Sequence, residues 1–197
     1  MAPAKVTIPA LQARKGQQKF TMLTAYDAPF ARLVDEAGID VILVGDSLGA
    51  VMLGYGGTAP VTMDEMIHHA KAVGRTAKRA LLVGDMPFMS YQADTAEAIR
   101  NAGRHINEAG MDCVKLEGTA KQAPVAQAIV EAGIAVIGHI GLTLQTAASL
   151  GGGGRVLEWY QHGARRAAGR ATGRTPDRCG DQRSRCAGIG AGASGAR

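Results

Sequence analysis

VILVGDSLG, residues 41–49, places four apolar and mostly β-branched residues directly before Gly45 and Asp46. Such a run predicts a fully buried strand that ends at the glycine. In parallel α/β folds, the residues that follow a strand line the crevice where ligands bind. Residues 80–87, ALLVGDMP, repeat the pattern and place Asp85 as Asp46 is placed. A lone Asp after a strand is usually a helix cap or a turn residue, but two in matching contexts favour a chemical site.

The composition indicates one globular domain with a separate basic tail. The chain has 197 residues, and 46% of them are hydrophobic, which is enough to form a core. Residues 1–150 carry 13 Lys and Arg against 14 Asp and Glu, and residues 151–197 carry 9 against 3, so the whole net charge of +5 comes from the tail. Neither a signal-peptide pattern nor a run of bilayer length is present, so we expect a cytoplasmic protein without membrane or nucleic-acid partners.

One helix-to-strand corner occurs three times, as EAGIDV at 36–41, EAGMDC at 108–113 and EAGIAV at 131–136. Each predicts a helix that ends on a left-handed glycine and is followed at once by a strand. Strands are expected to begin near residues 20, 41, 80, 113 and 135. Because crossovers between such strands are right-handed, the sheet should be parallel. Five units of this kind predict the first part of a (βα)₈ TIM barrel, although a doubly wound sheet fits the same pattern.

The segment 151–197 has a different character, being rich in Gly, Arg and Ala. No helical or strand period persists in it, and its composition predicts a disordered or poorly packed tail. The abrupt change also fits a coding region read in a shifted frame. A complete barrel needs about 250 residues, so an incomplete barrel is expected, with unpaired edge strands and low activity.

Further polar residues follow the next two strands. In VKLEG, residues 114–118, strand alternation sends Lys115 and Glu117 to one side, and His139 follows the fifth strand. With Asp46 and Asp85, these residues would form a site of three carboxylates. Oxygen ligands without a His or Cys cluster favour Mg²⁺ over Zn²⁺. Taken singly, the Lys and Glu could be a solvated edge pair and the His a core residue.

Five stretches together resemble the ketopantoate hydroxymethyltransferase family over about residues 5–150. They are TAYDAPFARLVDEAGIDVILVGDSLG (24–49), GYGGTAPVTMDEMIHHAKAV (54–73), LLVGDMPFMSY (81–91), VKLEG (114–118) and GHIGLT (138–143). The resemblance implies a (βα)₈ barrel of the phosphoenolpyruvate mutase and isocitrate lyase superfamily. It also implies that the protein, like the ketopantoate hydroxymethyltransferase family, is magnesium dependent and forms a homo-oligomer, typically a decamer. It also implies transfer of a one-carbon unit from 5,10-methylenetetrahydrofolate to 3-methyl-2-oxobutanoate, giving 2-dehydropantoate.

The resemblance also implies roles for single residues. Asp46 and Asp85 match the family's magnesium carboxylates, and Glu117 matches a third acid at the metal. Ser47 and Lys115 match groups that bind the carboxylate of the keto acid, with Asp46 and Asp85 close to that substrate through the ion. A divalent ion there would stabilise the enolate that forms when C3 of the keto acid loses its proton.

The general base is not identified by these matches. The family's base lies on the sixth strand in a context like VLE, and Val156-Leu157-Glu158 has those letters. Glu158 is therefore a candidate, but it follows the fifth strand too closely to leave room for a helix. The family usually has Pro where this chain has Leu144. Two other interpretations are a non-catalytic chain with an RNA-binding or polyanion-binding tail, and a superfamily enzyme that acts on another 2-oxo acid.

Overall fold

A five-stranded parallel sheet forms the centre of the computed structural model, which describes residues 4–147. The strands are Met22–Thr24 (β1), Val41–Val44 (β2), Leu81–Asp85 (β3), Cys113–Glu117 (β4) and Val136–His139 (β5). Their order in the sheet is the order in the chain, and every neighbouring pair is parallel. In a doubly wound sheet the order of the strands reverses at a point within the sheet, although the strands stay parallel. The sequential order therefore supports the barrel-type prediction over the doubly wound alternative.

Six α-helices accompany the sheet in the described residues. They are Ile8–Ala13 (α1), Ala28–Glu36 (α2), Leu48–Val51 (α3), Met63–Thr76 (α4), Thr95–Asn107 (α5) and Ala123–Glu131 (α6), with a 3₁₀ turn at Ala120–Gln122. None of the described helices is long and apolar enough to cross a bilayer. The predictions for residues 151–197 lie outside the described residues.

Local sequence signals explain where several helices begin. The Asp27 side chain accepts a hydrogen bond from the Phe30 N–H and so caps α2. Thr62 and Glu65 form a capping box at the start of α4, in which each side chain bonds the backbone of the other residue. Asp94 caps α5 by accepting from the N–H of Glu97. These side chains satisfy N–H groups that a helix leaves unpaired.

The repeated helix-to-strand corner adopts the predicted backbone at all three positions. Gly38, Gly110 and Gly133 have φ angles of 80°, 68° and 92°, in the left-handed region that favours glycine. A strand follows each within a few residues. The prediction of repeated units is confirmed, and each predicted strand start lies within two residues of the observed one.

The two faces of the sheet have different partners because side chains alternate along each strand. One face packs against α2, α4, α5 and α6 through buried apolar side chains, among them Ile42, Leu82, Val114 and Leu116. The other face carries a small apolar cluster towards the amino ends of the strands, formed by Val6, Leu11, Val41, Leu81, Val83 and Cys113. By the same alternation, the carboxyl ends of that second face carry Asp85, Lys115, Glu117 and His139.

Helix α1 lies at the amino ends of the strands. The Val6 N–H donates to the carbonyl of Arg79, just before β3, and the Lys5 ammonium lies 2.7 Å from Asp112, just before β4. Leu11 is buried in the small apolar cluster. Sequence reasoning did not predict this helix. It covers the end of the sheet opposite the polar residues.

Candidate carboxylate site at the strand ends

Asp46 and Asp85 meet at the ends of β2 and β3, as predicted. The Asp85 Oδ2 atom accepts a hydrogen bond from the backbone N–H of Asp46 at 3.2 Å. Both residues are buried, with 3% and 1% exposure. The register of the sheet explains the meeting, because Val44 is paired with Gly84, the residue before Asp85. Asp85 thus lies beside the loop that begins at Gly45.

Lys115 and Glu117 extend the site onto β4. Asp85 is paired in the sheet with Lys115, and the Lys115 Nζ atom lies 2.8 Å from Asp85 Oδ1 and 3.9 Å from Glu117 Oε1. The lysine side chain is only 11% exposed. The structure therefore supports an interior ion-pair cluster and excludes the solvated edge pair that the sequence left open.

His139 joins the cluster from β5. Its Nδ1 atom lies 3.0 Å from Glu117 Oε1, and the register pairs Glu117 with His139. The ring is 36% exposed, so the alternative of a buried core histidine is wrong for this residue. His139 contacts the carboxylate site from its solvent side.

Ser47 lies beside the cluster at the start of α3. Its hydroxyl is 2.8 Å from the hydroxyl of Tyr26, which follows β1. His69 from α4 binds the backbone carbonyl of the same tyrosine through Nδ1 at 2.7 Å. The serine hydroxyl therefore has a fixed neighbour, and Tyr26 is a site residue that the sequence analysis did not predict.

Gln145 and Tyr91 are two further residues that the sequence analysis missed. Gln145 donates from Nε2 to Asp46 Oδ2 at 2.9 Å, and its backbone N–H donates to Glu117 Oε2 at 3.1 Å. The Tyr91 hydroxyl lies 2.7 Å from Gln145 Oε1. The only signal for Gln145 is its position after GHIGLT, two residues beyond the quoted stretch.

A buried histidine supports β3 from the helix side of the sheet. His105 on α5 is fully buried, and its Nε2 atom lies 3.0 Å from the backbone carbonyl of Asp85. Its Nδ1 atom has no hydrogen-bond partner among the described residues. Burial lowers the pKa of His105 to about 4. The ring is therefore neutral at pH 7, and Nε2 donates to the Asp85 carbonyl.

The cluster has an excess of negative charge. Burial raises the pKa of Asp85 to about 7, Lys115 opposes this effect, and Asp46 and Glu117 add to it. Burial also raises the pKa of Asp46. For Glu117 burial acts in the same direction, but the contacts with His139, Gln145 and Lys115 outweigh it and lower the pKa. One lysine thus faces three buried carboxylates, an arrangement that a further cation would stabilise.

The donor set suits a hard divalent cation, although its present geometry is not that of a metal cluster. No group of three or more His, Cys, Asp or Glu side chains within residues 4–147 is arranged to hold a metal ion. Lys115, His139 and Gln145 each contact a carboxylate oxygen of the site in this structure. Asp85 Oδ1 contacts the Lys115 ammonium at 2.8 Å and has no hydrogen-bond partner besides it among the described residues. Oxygen donors with net negative charge fit Mg²⁺.

The structure therefore brings together five of the predicted site residues, namely Asp46, Ser47, Asp85, Lys115 and Glu117. Their assignment to metal and substrate remains a prediction. Glu158, the candidate base, lies outside the described residues.

Comparison of the sequence with known families gives a match to the model described as ketopantoate hydroxymethyltransferase over residues 5–167. The 3-methyl-2-oxobutanoate hydroxymethyltransferase of Heliobacterium modesticaldum is 58% identical over 149 residues, which are 75% of this chain and 54% of that protein. The enzyme of the same name from Moorella thermoacetica is also 58% identical, over 76% of this chain and 56% of that protein. The chain spans about half the length of the curated relatives it matches.

Solved structures with little sequence similarity share the fold. A phosphonopyruvate hydrolase in complex with oxalate and Mg²⁺ aligns with a TM-score of 0.55 and 16% identity, over 78% of this chain and 59% of that one. A 2,3-dimethylmalate lyase of the PEP mutase/isocitrate lyase superfamily aligns with a TM-score of 0.53 and 17% identity, over 68% and 52%. The sequential parallel sheet is thus the α/β arrangement that these TIM-barrel-type structures also have.

Proposed function

The chain belongs to the ketopantoate hydroxymethyltransferase family, and from this membership we propose that it transfers a hydroxymethyl group from 5,10-methylenetetrahydrofolate to 3-methyl-2-oxobutanoate. The product is 2-dehydropantoate, for pantothenate biosynthesis. The observation that carries the proposal is the meeting of Asp46, Asp85, Lys115 and Glu117 at one end of the sheet. A site that binds a small oxoacid anion through a metal ion would use carboxylates for the ion and a fixed positive charge for the anion, and these residues include both kinds of side chain.

Asp46, Asp85 and Glu117 would hold Mg²⁺ in this proposal. The ion would supply Lewis-acid chemistry, because it polarises the 2-oxo group and stabilises the negative charge that develops when C3 loses a proton. The support from this chain is the set of three buried carboxylates that face a single lysine. The Lys115 ammonium contacts Asp85 in the ligand-free chain, so it has to release that carboxylate when the ion binds.

Lys115 would then pair with the carboxylate of the keto acid. Asp85 and the neighbouring carboxylates raise the pKa of the lysine despite its burial, so it stays positively charged at the pH of the cell. The Lys115 ammonium has three N–H donors on a flexible side chain, so a small movement would transfer its contact from Asp85 to the carboxylate of the substrate. The Ser47 hydroxyl, fixed by Tyr26 at 2.8 Å, would donate to the same substrate anion.

The proton of C3 needs a base in addition to these groups. Among the described residues, the carboxylates of the site are all assigned to the cation in this proposal. Glu158 therefore stays the candidate for this role.

The wider architecture belongs to the same proposal. The five described βα units would be the first five of a (βα)₈ barrel, in which residues 1–150 carry the metal and keto-acid site. The sequential sheet order and the superfamily alignments support this arrangement. A cytoplasmic homo-oligomer is the corresponding assembly, and light scattering of the purified chain would test it against a monomer.

Calorimetry tests the proposed function on the 197-residue chain. Titration with Mg²⁺ should show binding, and 3-methyl-2-oxobutanoate should bind more tightly with Mg²⁺ present than without it. Phosphonopyruvate should compete poorly if the site is built for the branched keto acid. Formation of 2-dehydropantoate with 5,10-methylenetetrahydrofolate then tests the transfer itself. A chain that binds neither Mg²⁺ nor the keto acid would overturn the proposal.

A further inference from the structure

Gln145 has a buried side chain that touches the carboxylate site from outside the strands. It lies in the segment that follows β5 and is 3% exposed. A buried amide requires hydrogen-bond partners for both its oxygen and its nitrogen. Both the oxygen and the nitrogen of the Gln145 side chain have such partners, and the partners come from distant parts of the chain.

The contacts of the side chain fix its orientation. Nε2 lies 2.9 Å from Asp46 Oδ2 and 2.8 Å from the Met86 carbonyl, while Oε1 lies 2.7 Å from the Tyr91 hydroxyl. A carbonyl can only accept, so the nitrogen of the amide must face Met86 and Asp46. The Tyr91 hydroxyl lies beside the amide oxygen, and it is equally close, at 2.7 Å, to the carbonyl of Glu117. The amide therefore directs an N–H group at one oxygen of Asp46.

The backbone of the same residue holds a second carboxylate. The Gln145 N–H donates to Glu117 Oε2 at 3.1 Å. Asp46 follows β2 and Glu117 ends β4, and β3 lies between these strands in the sheet. One residue thus bridges two members of the site that the sheet itself does not bring into contact.

We propose that Gln145 is a positioning residue for the carboxylate site, which holds Asp46 and Glu117 in the arrangement that binds the cation. This inference rests on the proposed function. Gln145 contacts one oxygen of each carboxylate, Asp46 Oδ2 and Glu117 Oε2, and so restricts how far either side chain can turn. Loss of an outer partner of this kind typically weakens metal binding by about 10- to 100-fold.

Replacement of the amide by an apolar side chain of similar length tests this role. Gln145→Met in the full 197-residue chain should weaken Mg²⁺ binding measured by calorimetry by about 10- to 100-fold. The matched control is Gln127→Met, because Gln127 is exposed on α6 and bonds Glu131 at 2.8 Å. The control should leave the Kd for Mg²⁺ unchanged.

A second variant removes a partner of the amide without altering Gln145. Tyr91→Phe keeps the ring and deletes a hydroxyl that contacts both Gln145 Oε1 and the backbone of Glu117. It should therefore weaken Mg²⁺ binding in the same direction. If Gln145→Met does not fold, Tyr91→Phe provides the comparison. A folded Gln145→Met protein with an unchanged Kd for Mg²⁺ would overturn the proposal, even if its thermal midpoint fell, because loss of stability alone is the mark of a purely structural residue.

Hydrogen exchange without any ligand separates this inference from the proposed function. The backbone N–H of residue 145 should exchange at least about tenfold faster in Gln145→Met than in Gln127→Met, because the side-chain contacts no longer hold the segment against Glu117. Equal exchange rates in the two variants would overturn the positioning role. If the wild-type chain binds no Mg²⁺, the proposed function fails, and the exchange measurement still decides the role of Gln145.

Discussion

The backbone N–H of Asp46 donates a hydrogen bond to the carboxylate of Asp85 at 3.2 Å. This contact joins the ends of β2 and β3, the two strands whose GD sequences first indicated a site. Asp85 also faces β4 through its 2.8 Å contact with Lys115. Asp85 is therefore the central member of the cluster, and its charge depends on residues from both neighbouring strands.

Lys115→Gln should affect the binding of Mg²⁺ and the binding of the keto acid differently. Lys115 competes with a cation for Asp85, so its removal should leave Mg²⁺ affinity unchanged or increase it at pH 8. The keto acid loses its partner cation, and its affinity in the presence of Mg²⁺ should fall at least about tenfold, as for the loss of a charge-assisted hydrogen bond. Calorimetric titration with each ligand measures both effects.

Lys121→Gln is the matched control for that variant. Lys121 is exposed in the 3₁₀ turn after β4, and its replacement should change neither affinity. If Lys115→Gln weakened Mg²⁺ binding and left the keto acid unaffected, the assignment of Lys115 to the substrate would be wrong.

Mg²⁺ binding should strengthen as the pH rises towards about 7. Burial raises the pKa of Asp85 to about 7, and the proton has to leave before the carboxylate can bind a cation. Below that pH the affinity should rise by up to about tenfold per pH unit, and each bound ion should release close to one proton at pH 6. Calorimetry in two buffers of different ionisation enthalpy measures the proton release. A Kd that is constant from pH 5.5 to 8 would contradict this assignment of the Asp85 charge.

The positions of the strand-end residues could be predicted from the sequence because they depend on local patterns. An apolar run that ends in GD specifies both a buried strand and the residue that follows it, and alternation in VKLEG places Lys115 and Glu117 on one face. The resemblance to the family then supplied the roles. The same reasoning gave the left-handed glycines at the three helix-to-strand corners.

The supporting residues could not be predicted because their partners are remote in the sequence. Gln145 bonds Asp46 from 99 residues away, and Tyr91 bonds Gln145 from 54 residues away. No local pattern distinguishes such a Gln or Tyr from any other. Helix α1 was missed for a related reason: it is short, and only its contacts at the amino ends of the strands show its purpose.

His105 should make the folded state sensitive to acid. Its pKa is lowered to about 4 by burial, whereas the unfolded chain has a value of about 6.5. Between these values the unfolded state binds the proton and the folded state does not, so stability falls as the pH falls from about 6.5 to 4. The difference between the two pKa values corresponds to a loss of about 3 kcal/mol in the free energy of unfolding once the pH has fallen to about 4.

Comparison with His105→Gln isolates this contribution. Asp85 acts in the opposite sense, because its raised pKa makes the folded state bind a proton first as the pH falls through about 7. Urea denaturation of both proteins at several pH values gives the difference in unfolding free energy, in which the Asp85 contribution largely cancels. The wild-type protein should lose stability relative to His105→Gln on acidification, and a difference that does not vary with pH would contradict the buried neutral histidine.

Gly84 and His105 should be energetically coupled through direct contact. A Cβ atom at residue 84 would lie 2.2 Å from His105 Nδ1, so Gly84→Ala should destabilise the protein by about 1–3 kcal/mol, as for overpacking of a core. In a His105→Ala background the ring is absent, and the same substitution should cost much less.

Gly103→Ala is the control, because Gly103 lies on α5 with His105 and a Cβ atom there would have its nearest neighbour 3.9 Å away. This substitution should stabilise the protein by about 0.5–1 kcal/mol. Urea denaturation of the four proteins of the cycle measures the coupling. If Gly84→Ala lowered the free energy of unfolding equally in both backgrounds, the His105 ring would not be what limits the space beside β3.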